Sequence, residues 1–222
     1  LAQILPYQVA NGLYEDYGIL DVKYHHIPGL PHAKGDGVTD DTAALQALLT
    51  YGNRNRMAVI VPSGTYLISD TLDLMDDNQF YESDTHSYVL IGSTRGTTPV
   101  IQLKDNAPGF GKVSAPKPII RMWRKCGIDA REDISNCIDT NNQVDGEGLP
   151  ASYFSDGIRN LQITVGARNP GAVGVYFAGA QDSFIEDITV DMTKSGYAGF
   201  TATPGPASVI GNLVVLGGRY GI

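Results

Sequence analysis

Ile158-Arg159-Asn160-Leu161-Gln162-Ile163 returns as Ile185-Glu186-Asp187-Ile188-Thr189-Val190, and again as Ile210-Gly211-Asn212-Leu213-Val214-Val215. The copies lie 27 and then 25 residues apart. Between them a second echo, Gly174-Val175, Gly199-Phe200 and Gly221-Ile222, recurs after 25 and then 22 residues. A period in the twenties marks a solenoid whose repeat is one supersecondary unit. Within each copy, apolar and polar residues alternate over short runs rich in Ile, Val and Leu, which is a strand pattern. Such short strands bury no face alone, so successive units must stack at about 4.8 Å. The expected fold is all-β, a parallel β-helix. Asn160, Asp187 and Asn212 share one repeat position, so a polar ladder is expected at a tight bend, bonding backbone groups that the bend leaves unpaired.

Composition agrees with a β-protein and narrows the partners. The 222 residues suffice for one β-rich domain, and Gly 26 and Pro 12 supply its turns. With 24 acidic against 16 basic side chains, the net charge is −8. No basic cluster exceeds the run from Arg121 to Lys125, so no nucleic-acid partner is expected. No run approaches the ~20 apolar residues of a membrane span, so no membrane partner is expected either. The chain starts at Leu1 without a signal-peptide pattern, and a secreted or extracellular protein in mature or excerpted form is expected.

Residues 1–34 read as an extended N-terminal segment. They hold Tyr7, Tyr14, Tyr17 and Tyr24 with His25, His26 and His32, while Pro28 and Pro31 enforce extended backbone. Adjacent histidines on such a segment point opposite ways, and no Cys or Glu stands at ligand spacing, so no metal is expected here. Residues 35–222 read as the N-terminal part of the solenoid. Gly35-Asp36-Gly37-Val38-Thr39-Asp40-Asp41 predicts a turn leading into a helix over about 41–50. Thr39 or Asp40 would cap it, Leu45, Leu48 and Leu49 would form its apolar stripe, and it would end near Gly52. One short amphipathic helix ahead of a solenoid covers the first rung.

The run GDGVTDDTAALQ, followed by Val61-Pro62-Ser63-Gly64-Thr65-Tyr66-Leu67, resembles the opening of the pectate-lyase-like, right-handed parallel β-helix superfamily. Asn169-Pro170-Gly171-Ala172-Val173-Gly174 and Leu216-Gly217-Gly218-Arg219-Tyr220-Gly221-Ile222 look most like the N-terminal β-helix of glycoside hydrolase family 55. That resemblance implies an exo-β-1,3-glucanase built from two tandem β-helices. Members of the superfamily bind glycans along a shallow groove on a strand face. In family 55 the catalytic glutamate lies in the later part of a much longer chain, so the resemblance transfers no catalytic residue to these positions.

Met57 to Val61 with Thr65 to Ile68 predict the first rung, Tyr88 to Ile91 with Val100 to Leu103 the second, and Pro118 to Trp123 a further strand. Asp73, Asp76 and Asp77 read as a small solvated acidic group. A polar insertion over about 125–154 interrupts the period and carries Cys126 and Cys137. Both cysteines lie in one polar insertion of an expected extracellular protein, so a disulfide is expected. It would close a short loop and stabilise by ~3 kcal/mol in the chain-entropy model. Two thiols without further ligands do not complete a metal site, and no metal is expected.

Alternation assigns the faces. With Val175 and Phe177 inward, Tyr176 points out and Thr201 takes its place one rung later. Arg159, Gln162 and Glu186 also face out. Tyr176, Thr201 and Arg159 are therefore the candidate substrate-binding residues. The catalytic residues are unknown, with Glu186 the candidate should the site lie in these rungs. Glycoside hydrolysis needs an acid carboxyl and a second carboxylate opposite it. A pectate- or alginate-type lyase would need a base and a cation, often Ca²⁺, whereas the hydrolase reading needs no cofactor. The acidic balance and the few basic residues on the rungs favour a neutral polysaccharide and a hydrolase, and the resemblance to family 55 implies that the polysaccharide is β-1,3-glucan-like. A non-catalytic tailspike- or adhesin-type glycan-binding stem is the third reading. The repeat is still running at Gly221-Ile222, so an uncapped C-terminal end is expected. Further rungs, a second domain or another chain would dock at Ile222, and these residues alone would be inactive.

Overall fold

The computed structural model of the chain describes residues 15–74, 87–122, 155–179, 181–202 and 204–222. The 125–154 insertion, the Cys126–Cys137 pair, Asp76 and Asp77 lie outside the described residues. Within them run thirteen strands and one α-helix. The order is β1 (Ile19–Asp21), β2 (Asp36–Asp40), α1 (Thr42–Arg54), β3 (Ala58–Val61), β4 (Thr65–Ile68), β5 (Leu72–Leu74) and β6 (Val89–Gly92). Then come β7 (Val100–Leu103), β8 (Lys117–Met122), β9 (Gly157–Val165), β10 (Ala172–Phe177), β11 (Phe184–Met192), β12 (Ala198–Thr201) and β13 (Val209–Gly217). Every pairing between these strands is parallel. They form a parallel β-helix.

The larger sheet bends around a corner. β9 pairs with β6 through its first residues and with β7 through its last, so one strand continues two that the earlier rung separates. The bend falls at Asn160. β11 and β13 repeat it, with Ile185 opposite Ile158 and Ile210, and Ile188 opposite Leu161 and Leu213. Asn160, Asp187 and Asn212 all have positive φ, at 56°, 56° and 50°. That left-handed region costs most residues about 1–2 kcal/mol, and Asn or Asp tolerates it through local hydrogen bonds. Asn160 Nδ2 donates to the carbonyls of Gly92 and Ser93 at 3.0 Å each, and Asn212 Nδ2 donates to Asp187 Oδ1 at 2.9 Å. At the first corner the polar side chain takes up two carbonyls of the preceding rung, and at the later two the ladder joins side chain to side chain.

The second sheet, in the order β12-β10-β8-β5, closes the coil. Between the faces the core is a stack of aliphatic columns. Val59, Leu90, Ile158 and Ile185 project from one face, Tyr66, Ile101 and Ile163 from the next, and Leu72, Ile120, Val175 and Phe200 from the second sheet, all buried. Full burial of each such side chain contributes about 1.5–3 kcal/mol. Gly174 and Gly199 fall where the earlier rung has the buried Ile119. A Cβ at Gly174 would lie 2.6 Å from a Val190 methyl, and one at Gly199 2.4 Å from a Val215 methyl. The bare positions admit those valines.

Helix α1 lies against the first rungs, with Leu45, Leu48 and Leu49 buried. It runs to Arg54 and takes Gly52 into its last turn. A Cβ at Gly52 would stand 3.0 Å from both the Met57 carbonyl and Val59, so glycine there permits close approach to β3. The expected turn at residues 36–40 is instead strand β2, paired with β4. Asp40 accepts the Thr42 N–H at 3.1 Å, whereas Thr39 Oγ1 bonds back to Asp36. Asp41 makes no cap and instead accepts the N–H groups of Lys34 and Gly35 at 2.7 and 2.8 Å, fastening the preceding chain. The segment before residue 35 supplies a strand as well. β1 pairs with β3 and sends the buried Leu20 into the core.

Candidate functional site

The second sheet presents one outward column that crosses all four strands. Asp73 stands opposite Arg121, Arg121 opposite Tyr176, and Tyr176 opposite Thr201. Neighbouring strands are about 4.8 Å apart, so the four side chains line the helix axis at that spacing. Arg121 grips Asp73 with two parallel bonds, Nε to Oδ1 at 2.5 Å and Nη2 to Oδ2 at 2.7 Å. A bidentate pair of this kind fixes both groups in orientation. Tyr176 and Thr201 continue the column, both half-buried.

Helix α1 sets the start of this column. Gln46 clasps the backbone of Asp73, its Nε2 donating to the carbonyl at 2.9 Å and its Oε1 accepting the N–H at 2.8 Å. An open hollow of about 700 Å³ lies between α1 and β5, lined among others by Asp40, Gln46, Thr50, Asp70 and Asp73. Asp73 belongs to both hollow and column, so the two join. The cations at this end are engaged: Lys117 Nζ pairs with Asp70 Oδ1 at 2.5 Å, as Arg121 pairs with Asp73. The combined surface carries hydroxyls, carboxylates and one aromatic ring.

Arg159 and Glu186 lie on the other sheet, facing each other across β9 and β11. Arg159 Nη1 is 3.8 Å from Glu186 Oε2, and its Nε donates to Asp187 Oδ2 at 3.1 Å. Asn212 first, and Arg159 second, hold the Asp187 carboxyl below its ordinary range. The structure thus brings Tyr176 and Thr201 together with Arg121 and Asp73, and puts Arg159 with Glu186 on a different face. Sequence reading passed over Arg121 and took Asp73 for solvated loop. Their 48-residue separation hides a pair that only the register reveals.

Among the described residues two carboxyls are raised, both by burial. Asp156 rises to about 7 and Asp21 to about 6. Asp156 accepts the Tyr88 N–H at 2.9 Å and Asp21 accepts those of Lys23 and Tyr24, so both fasten backbone. His25 is buried and its ring stacks on His32 at 4.2 Å. Nδ1 accepts the Ile27 N–H, and Nε2 bonds the Pro31 carbonyl. Among the described residues, no three His, Cys, Asp or Glu side chains converge to hold a metal. No described helix is long and apolar enough to cross a membrane.

Residues 31–222 match the family described as Rhamnogalacturonase A/epimerase, pectate lyase-like. A non-secreted LysM effector, LysM19, of Penicillium expansum is 24% identical over 204 residues, covering 85% of this chain and 14% of that protein. A glucan 1,3-beta-glucosidase of Cochliobolus carbonum is 26% identical over 206 residues, covering 86% and 22%. A probable glucan endo-1,3-beta-glucosidase of Arthroderma benhamiae (strain ATCC MYA-4681 / CBS 112371) is 27% identical over 208 residues, covering 85% and 20%. The chain therefore spans about a fifth or less of the length of the curated relatives it matches.

Proposed function

The chain belongs to the rhamnogalacturonase A/epimerase, pectate lyase-like family, and on that footing we propose that it is the glycan-holding β-helix of a carbohydrate-active enzyme. The reaction is hydrolysis of polysaccharide glycosidic bonds, and the substrate is a neutral, β-1,3-glucan-like chain. The observation that carries this reading is the column from Asp73 to Thr201. It runs along the helix axis as an extended polymer would, with a ring face at Tyr176 and hydroxyl-binding groups on either side. A uronate chain needs cations to meet its carboxylates, and here Arg121 and Lys117 are held by Asp73 and Asp70. The acidic hollow beside α1 repels such a chain further. The two named glucosidases act in the same direction. A secreted or extracellular place of work is part of the same proposal. The exposed Val209, Ile210, Val214 and Leu216 of β13 are, in this reading, where further rungs or a second domain dock beside Ile222.

A second reading takes up the words pectate lyase-like in the family's description: a lyase of the same fold, which would need a cation such as Ca²⁺ to act on uronate glycans. Product analysis separates the two. On the column Asp73 is locked to Arg121, and on the other sheet Glu186 is paired with Arg159. The chain incubated with laminarin is expected to bind it and release no reducing ends. With polygalacturonate and Ca²⁺ it should generate no ultraviolet absorbance from unsaturated ends. Steady release of reducing sugar would put the cutting groups in this chain, with Glu186 and the acids of residues 125–154 as first candidates. Ca²⁺-dependent absorbance would establish the lyase.

A further inference from the structure

One position before the bend ladder's aliphatic lead, the repeat reads Gly157, Phe184 and Val209, in register and outward on the larger sheet. Gly157 is bare, and the Phe184 ring lies over it. A Cβ at Gly157 would fall 1.9 to 2.3 Å from three carbons of that ring. One face of Phe184 is thereby seated on backbone. On its other side, toward the half-exposed Val209, opens a shallow hollow of about 390 Å³. Arg159, Asp182, Ser183, Glu186, Ala207 and Val209 complete its walls. The volume falls within the ~300–1,000 Å³ usual for small-molecule sites.

We propose that this hollow is a second glycan-contact site, on a separate face from the Tyr176 column, that takes one neutral hexopyranose unit. The inference rests on the neutral-glycan reading of the chain and extends it to a place which that reading does not use. Each part of a sugar finds its partner. The C–H face of a pyranose meets the open face of Phe184, which is amphipathic recognition by an immobilised aromatic ring. Equatorial hydroxyls meet the Arg159 guanidinium as acceptors, and the Glu186 and Asp182 carboxylates as donors. Arg159 is already oriented by Glu186 at 3.8 Å and Asp187 at 3.1 Å, so binding has little of its side-chain freedom to remove. Gly211 lies beside Glu186 on the next strand and leaves the approach to that carboxylate open. Glu186 and Asp187 flank the single guanidinium and Asp182 lines the same hollow, which disfavours uronate or sulfated sugars. The platform is built from two repeat positions that differ only in size, a glycine and a phenylalanine 27 residues apart.

The test is the stoichiometry of laminarihexaose binding by the 222-residue chain in isothermal titration. Two sites per chain are expected for the wild type. Phe184→Ala should abolish one of them, and Tyr176→Ala should weaken the other about ten-fold. Val209→Glu alters an exposed wall position, so it removes the Phe184 site without touching the core, and circular dichroism melts confirm that each variant is folded. A single site unaffected by Phe184→Ala and Val209→Glu, yet weakened in Tyr176→Ala, would overturn this inference and leave the neutral-glycan reading standing. A single site lost in Phe184→Ala and Val209→Glu alone would support this site and reject the Tyr176 column. No binding of laminarihexaose by the folded wild type would overturn both.

Discussion

Gly92→Ala is expected to cost about 3 kcal/mol or more of folding stability, the largest loss from a single added methyl among the described glycines. Gly92 closes β6 just before the bend, and Asn160 Nδ2 bonds its carbonyl from the next rung. A Cβ built there would lie 1.8 Å from the Asn160 carbonyl oxygen and 2.8 Å from the Pro99 ring. Overpacking usually costs about 1–3 kcal/mol because side chains shift to absorb it. Here the obstacle is backbone, held by two strand pairings and by the ladder, so the two rungs must part. Urea unfolding followed by circular dichroism should show the midpoint collapse. Gly111→Ala is the control: its Cβ meets nothing within 4 Å, and its effect should stay within about 0.5 kcal/mol. Equal stability of the two variants would mean that β6 and β9 are not stacked as described.

Asp156→Asn is expected to stabilise the chain at pH 8 and to do nothing at pH 3. Asp156 is 1% exposed, and burial raises its carboxyl from 3.8 to about 7. Below pH ~4 both folded and unfolded chains hold the proton, and there is no contribution. As pH rises past 3.8, the unfolded chain releases the proton while the folded chain keeps it, so the fold loses ground. The loss grows by about 1.4 kcal/mol per pH unit, levels off above about 7, and totals on the order of 4 kcal/mol. Asparagine keeps an oxygen to accept the Tyr88 N–H and carries no charge to bury. The difference in unfolding free energy between wild type and variant should therefore open between pH 4 and 7 in favour of the variant. A variant less stable than wild type at pH 8 would show that the carboxylate itself holds the fold.

The later rungs were the legible part of this structure. Ile158, Ile185 and Ile210 recur with Asn160, Asp187 and Asn212 because those rungs are free of long loops, so sequence offset and spatial register coincide. Earlier rungs lack that phase. The stretch from Ser93 to Pro99 separates β6 from β7, where β9 runs through unbroken, and the bend residue has no counterpart at a fixed offset. β1 and β5 have three residues each, too few for alternation to show, and only pairing to β3 and β8 defines them. The outward turn of Tyr176 and its alignment with Thr201 followed from alternation alone. Arg121 escaped because it was counted into a basic run, and because an ion pair between separate rungs leaves no local pattern. Phe184 escaped for a different reason. The repeat was read from its aliphatic lead, and one position earlier the Gly157-Phe184-Val209 series was already present at the same offsets.

The central claim is that a neutral glycan lies along the Asp73–Thr201 column, and Tyr176 tests it most directly. Its ring is outward on β10, so truncation removes contact surface without opening the core, whose neighbours Val175 and Phe177 stay buried. Isothermal titration of wild type and Tyr176→Ala with laminarihexaose and with an oligogalacturonate of equal length decides the matter. The account predicts that wild type binds the neutral oligosaccharide and not the uronate. It also predicts that Tyr176→Ala weakens the column site about ten-fold, the ~1.4 kcal/mol of one aromatic contact, with its melting temperature little changed. Preference for the oligogalacturonate, or laminarihexaose binding at that site unchanged by Tyr176→Ala, would contradict it.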